Sequence, residues 1–152
     1  MSKSGLYAYF TSKQDLQLAT IDCAWQVFDE HVLQPDHDTV QPLVSRWISY
    51  YEREVFPGGC LFVTIGMEFA NRAGPVHDAI AAAIERQVAA LEHAVTRALG
   101  DDTLPATTDP GQLAFELHAL LTTSNQRFRL SRDPAVFSRA RTAIARLISR
   151  TP

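Results

Sequence analysis

The sequence predicts an all-α fold, and three observations carry that prediction. Apolar residues recur at steps of three and four through almost the whole chain, the period of one buried helix face. Most periodic segments open on a residue suited to a helix start and end at proline or glycine. The one β-prone run, Leu61-Phe62-Val63-Thr64-Ile65, has no second strand to pair with, so it too is read as a buried helix.

The first helix starts at Ser12, whose side chain can accept from an unpaired N–H of the first turn, with Asp15 completing a capping-box-like pattern. Its stripe is Leu18, Ile21, Trp25, Phe28 and Val32, and Pro35 stops it. A second helix runs from about Asp38, its N-cap, to Phe56. Val40, Leu43, Val44, Trp47, Ile48, Tyr51 and Val55 line one face, while Tyr50 falls off that stripe and is expected to face solvent. Pro57-Gly58-Gly59 breaks the chain sharply, and the third helix covers Cys60 to Ala73.

Gly74-Pro75 opens the fourth helix, proline being suited to a first helical position. Its predicted stripe is Val76, Ile80, Ile84, Val88, Leu91, Val95 and Leu99, with Gly100 as the stop. After a loop from Asp101 to Thr108, Asp109-Pro110 starts the fifth helix, with Leu113, Leu117, Leu120, Leu121 and Phe128 inward. Asp133-Pro134 starts the sixth, with Phe137, Ala140, Ile144, Leu147 and Ile148. The short turn between these two makes them an antiparallel hairpin.

At 152 residues the chain is long enough for one well-buried core. Its net charge of −3 offers no bulk attraction to a polyanion, so a nucleic-acid role must rest on local residues. Two cysteines, Cys23 and Cys60, without metal or redox spacing point to a reducing compartment. The start, Met-Ser-Lys-Ser-Gly-Leu-Tyr, has no apolar signal region, and the longest apolar stretch, Cys60 to Met67, is too short for a bilayer. The expectation is a cytoplasmic protein with no membrane partner.

Nothing in the sequence argues for catalysis. There is no nucleophile elbow, HExxH or phosphate loop, and Glu116 and His118 point to different faces of their helix. No cofactor is expected. Asp36-His37-Asp38 lacks a remote ligand set and reads as a solvated loop rather than a metal site. Cys60 reads as a plain buried cysteine, and Arg127, Arg129 and Arg132 as a solvated helix end. Trp47, Tyr51, Phe62, Met67 and Phe69, with Tyr50 beside them, offer a large apolar surface with two hydroxyls, a mix suited to a small amphiphilic ligand.

The stretch Ser2-Lys3-Ser4-Gly5-Leu6-Tyr7-Ala8-Tyr9-Phe10-Thr11-Ser12-Lys13-Gln14-Asp15-Leu16 closely resembles the recognition-helix end of the tetracycline-repressor (TetR) family head. The later Gly-Gly-Cys-Leu-Phe run after a proline resembles the family more loosely. The resemblance implies a partial helix-turn-helix and linking helix over residues 1–34, and a ligand-binding and dimerisation domain over residues 35–152. It implies a homodimer through a four-helix bundle of the last two helices from each subunit.

By position, Ser2, Lys3, Ser4 and Gly5 would meet the major groove, Tyr7 and Tyr9 the phosphates, and Lys13 the backbone from the next helix. The implied function is ligand-responsive transcriptional regulation, most often repression, with operator DNA and a small-molecule effector as partners. The family's two preceding head helices are not in this chain, so weak operator binding is expected. Lys3 and Lys13 are the only basic side chains before Arg46, giving a salt slope of only about −4 per dimer. The rival readings are a dimerising ligand-binding module without DNA contact and an enzyme on a helical scaffold.

Overall fold

A computed structural model of the chain describes residues 10–34 and 39–149. Among these residues every regular element is helical. Helix α1, Lys13–Phe28, begins as its sequence directs: the Ser12 hydroxyl accepts the Asp15 N–H at 3.0 Å. Hydrogen bonds from Thr11 and then Ser12 hold the Asp15 carboxyl below its ordinary pKa. The helix relaxes into a π-helical turn, Asp29–Leu33, closed by the Gln34 N–H on the Asp29 carbonyl at 3.0 Å. Through this wider turn Val32 joins Ile21, Ala24 and Phe28 in the core.

Helix α2, Val40–Glu52, is shorter than the periodicity predicts. Its N-cap is Thr39, which makes no side-chain capping bond, and Asp38 lies outside the described residues. Its end comes early because Glu54 turns left-handed at φ 46, and Gly58 and Gly59 follow with φ 88 and 82. Tyr50 departs from its expected place in solvent. It is 2% exposed, because the Phe28 ring at the end of α1 packs edge-on against it at 5.7 Å while also meeting Trp47 of the stripe.

Helix α3, Leu61–Phe69, occupies the β-prone run. With Phe62, Ile65 and Phe69 packed on the core at i, i+3 and i+7, tertiary packing overrides strand propensity. Helix α4, Pro75–Gly100, is the central rod and packs against α5, α3, α1 and α2. Helices α5, Pro110–Ser131, and α6, Ala135–Ile148, form the expected hairpin. The Asp109 carboxylate caps α5 by accepting the Gln112 N–H at 2.9 Å. Asp133 accepts the Ala135 N–H at 2.9 Å, and Pro134 is the N-cap of α6.

The arginines at the hairpin turn are not simply solvated. Arg129 and Arg132 each donate to Glu54, at 2.8 and 2.7 Å, and Arg141 holds Glu52 with two bonds at 2.8 and 2.6 Å. The C-terminal end of α2 is thereby tied to the hairpin. These pairs are partly exposed, so each contributes about 1 kcal/mol or less. Among the described residues no helix is long and apolar enough to cross a membrane.

Candidate functional site

A cavity of about 240 Å³ lies between α3, α4 and α5, and each helix gives it one face. From α3 come Phe62, Val63, Gly66 and Met67, two adjacent pairs one turn apart. From α4 come Ile84 and Gln87, and from α5 the row His118, Thr122 and Gln126 at four-residue spacing. Gly66 keeps the space open: a Cβ there would meet nothing nearer than Ile84 Cδ1 at 3.6 Å. Met67, 77% exposed, stands at the mouth as a flexible apolar side chain.

The polar atoms of this wall are unusual. Gln87 is 1% exposed, and its Nε2 has only the weakly accepting Cys60 sulfur beside it, short of a well-formed hydrogen bond, while the buried Oγ1 of Thr122 has no partner. A buried polar group left unpaired costs about 1–3 kcal/mol, so two poorly satisfied ones beside one cavity are costly unless something enters to meet them. His118 is half-buried with its ring edge-on to Trp47 at 6.2 Å. Burial lowers its pKa, against a smaller opposing pull from Glu85. The imidazole is therefore neutral at neutral pH.

Behind the cavity lies a second layer. Trp47 Nε1 donates to the Tyr51 hydroxyl at 2.6 Å, and that hydroxyl faces the Cys60 thiol. Cys60 in turn lies against the Gln87 amide. Burial pushes the Cys60 thiol up, as it does the Tyr51 phenol, so both stay protonated. The thiol is 0% exposed and has no thiolate character to make it reactive.

The cavity wall also touches α1. Trp25 meets Phe62 edge-on at 6.2 Å and Phe28 at 5.8 Å, and Phe28 meets Trp47 at 4.8 Å. Trp25 also carries the Arg86 guanidinium, 3.9 Å from the ring centroid.

Of the five residues singled out for ligand contact, Phe62 and Met67 line the cavity, and Trp47 and Tyr51 form the layer behind. Phe69 sits outside the wall, at the end of α3 under Arg72. Lys13 is exposed on the first residue of α1, while Ser2, Lys3, Ser4, Gly5, Tyr7 and Tyr9 lie outside the described residues. Sequence reasoning passed over Gln87 and Thr122. The signal was available in α4: stepping Val76, Ile80, Ala83, Gln87, Leu91, Ala94 and Ala98 gives its most buried row, once alanines count as core.

Two other hollows differ in kind. One of about 300 Å³ between α1, α2 and α4 is lined by Arg46, Arg86, Arg97, His93 and Asp29, and Arg46 there donates to the Val32 carbonyl at 2.9 Å. The other, about 290 Å³, is an open apolar groove along the α5–α6 hairpin between Leu120 and Val136.

Residues 37–144 match the family model described as tetracyclin repressor-like, C-terminal domain. Among solved structures, the fold is similar to a TetR-family transcriptional regulator from Cytophaga hutchinsonii, with a TM-score of 0.82 and 20% identity over 98% of this chain and 78% of that one. It is also similar to the regulatory protein TetR from Rhodobacter sphaeroides, with a TM-score of 0.80 and 21% identity over 97% and 82%. The reduced form of NemR from E. coli aligns with a TM-score of 0.73 and 21% identity over 97% and 80%. No curated protein matches the sequence. An all-helical chain whose central three helices enclose an underfilled cavity, and most of which fits this family model, belongs to the tetracycline-repressor (TetR) family of transcriptional regulators.

Proposed function

We propose that this chain is a ligand-responsive repressor, acting as a cytoplasmic homodimer, whose effector occupies the α3–α4–α5 cavity. The observation that carries the reading is a cavity whose wall holds two poorly satisfied buried polar atoms, Gln87 Nε2, with only the Cys60 sulfur beside it, and Thr122 Oγ1, with no partner. Phe62 and Met67 meet the effector directly, Trp47 and Tyr51 hold the wall from behind, and Phe69 closes the end of α3.

An occupant displaces Phe62, and Phe62 bears on Trp25 of α1. Helix α1 carries Lys13 at its start and follows directly on Ser2, Lys3, Ser4, Gly5, Tyr7 and Tyr9, the residues proposed to meet DNA. Shifting α1 in each half of a dimer changes the separation of two DNA-reading segments, which must match successive major grooves. The dimer forms along α5 and α6, where the groove beside Leu120 and Val136 and the exposed Phe115 and Leu130 present apolar surface.

The test is fluorescence anisotropy of a labelled duplex from upstream of the chain's own gene, titrated at low and moderate salt. Binding should weaken by about two orders of magnitude between roughly 50 and 200 mM salt, and should weaken again when the cavity is filled. Binding indifferent to cavity occupancy overturns the reading.

A further inference from the structure

We infer that the α3–α4–α5 cavity takes an uncharged, largely apolar small molecule, single-ring in size, bearing a hydrogen-bond-accepting oxygen. This rests on reading that cavity as the effector site. Size comes first. An apolar cavity of roughly 150 Å³ takes up benzene, so one of about 240 Å³ admits about ten non-hydrogen atoms.

Charge comes next. Among the described residues no Asp, Glu, Lys or Arg lines the cavity, and the one titratable side chain they place in its wall, His118, is neutral at neutral pH. Of the charged groups on α4, Arg86 lies over Trp25, and Glu85, exposed and within electrostatic reach of His118, is an anion that would repel a carboxylate rather than pair with it. A carboxylate or ammonium entering here surrenders its hydration and finds no counter-charge in the wall. Phe62, Val63, Met67 and Ile84 instead offer flat and flexible apolar surface, which suits a ring.

Polarity fixes the remaining feature. Gln87 Nε2 can only donate, so it calls for an acceptor on the ligand. Thr122 Oγ1 both donates and accepts, so a carbonyl or a hydroxyl satisfies it. One oxygen placed at Gln87 would give it a stronger acceptor than the Cys60 sulfur, and a second within reach of Thr122 would supply the bond the fold leaves unmade there. Gln87 and Thr122 then set specificity, and the apolar wall supplies most of the contact area.

The experiment compares three molecules of the same shape on the full chain by isothermal titration calorimetry, with tryptophan fluorescence as a second readout. They are 4-hydroxyacetophenone, its anionic counterpart 4-hydroxybenzoate and the hydrocarbon p-cymene. The ketone should bind at least about tenfold more tightly than either of the others. Gln87→Leu should remove that advantage while leaving p-cymene unharmed. Thr122→Val, a change of near-equal volume, should weaken the ketone by several-fold and serves if Gln87→Leu does not fold.

Equal or tighter binding of 4-hydroxybenzoate overturns the charge assignment but leaves the effector cavity standing. Equal binding of p-cymene, unaffected by either variant, overturns the roles of Gln87 and Thr122 and likewise leaves the cavity standing. Binding of none of the three, or ketone binding that survives filling the cavity by Gly66→Ile, overturns both this inference and the effector-site reading.

Discussion

The guanidinium of Arg86, on α4, lies 3.9 Å from the centroid of the Trp25 ring on α1. Trp25 also meets Phe62 of the cavity wall, so one indole links the cavity to the helix that runs back to the segment proposed to read DNA. Trp25→Ala should cost about 2–3 kcal/mol, less than a fully buried tryptophan because its ring is only half-buried. Arg86→Ala should cost about 0.5–1 kcal/mol. A double-mutant cycle in urea should return a coupling of about 0.5 kcal/mol or more. Strict additivity would mean that the stacked pair contributes nothing.

Two glycines should respond oppositely to alanine. Gly59 sits at φ 82, and a Cβ there would stand 2.8 Å from Asn125 Oδ1 and 3.2 Å from Arg129 Cδ. Asn125 is 1% exposed and has little room to move. Gly59→Ala should therefore destabilise by about 2 kcal/mol or more, combining backbone strain with overpacking. Gly66, inside α3 with only Ile84 Cδ1 at 3.6 Å, should gain about 0.5–1 kcal/mol as alanine. Urea midpoints moving the same way for both variants would refute the contrast.

Much of this fold was legible because its helices announce themselves. Ser12 and Asp109 cap as expected, Pro75 opens α4, and α3 is helical despite its β-branched run. What escaped is tertiary. Tyr50 is buried against Phe28 of α1, a neighbour that periodicity within α2 cannot see. Arg129 and Arg132 reach Glu54 more than seventy residues away in sequence, a pairing no local pattern encodes. The cavity was half legible: its large apolar residues stood out by type, while Gln87 and Thr122 matter because of where α3, α4 and α5 converge. A glutamine in a core row looks like any surface glutamine until its neighbours are counted as buried.

Dimerisation should depend on α5 side chains that face away from the core. Leu130 is 90% exposed and Phe115 67% exposed, on a helix whose other large apolar residues are largely covered. If a second copy covers them, Phe115→Glu and Leu130→Glu should each weaken association at least tenfold while leaving the helical circular-dichroism signal intact. Light scattering with size exclusion at micromolar concentration gives the answer. A dimer untouched by both substitutions would place the interface elsewhere.

Stability should carry a histidine signature on the acid side of neutrality. Burial holds the His118 pKa below 6.5, and Glu85 opposes this only in part. Between the lowered folded value and the ordinary one, the unfolded chain binds more protons than the folded chain, so stability rises with pH in that window. The contribution is fully present above about pH 6.5 and is lost as pH falls toward the folded value. His118→Gln removes the titration while keeping a polar side chain against Trp47. The loss of thermal stability on going from mildly alkaline to mildly acidic buffer should therefore be smaller in the variant than in the parent. Carboxylates are common to both proteins and cancel in the difference. Identical pH profiles would mean that His118 is as well solvated when folded as when unfolded, and that its place in the cavity wall is open to water.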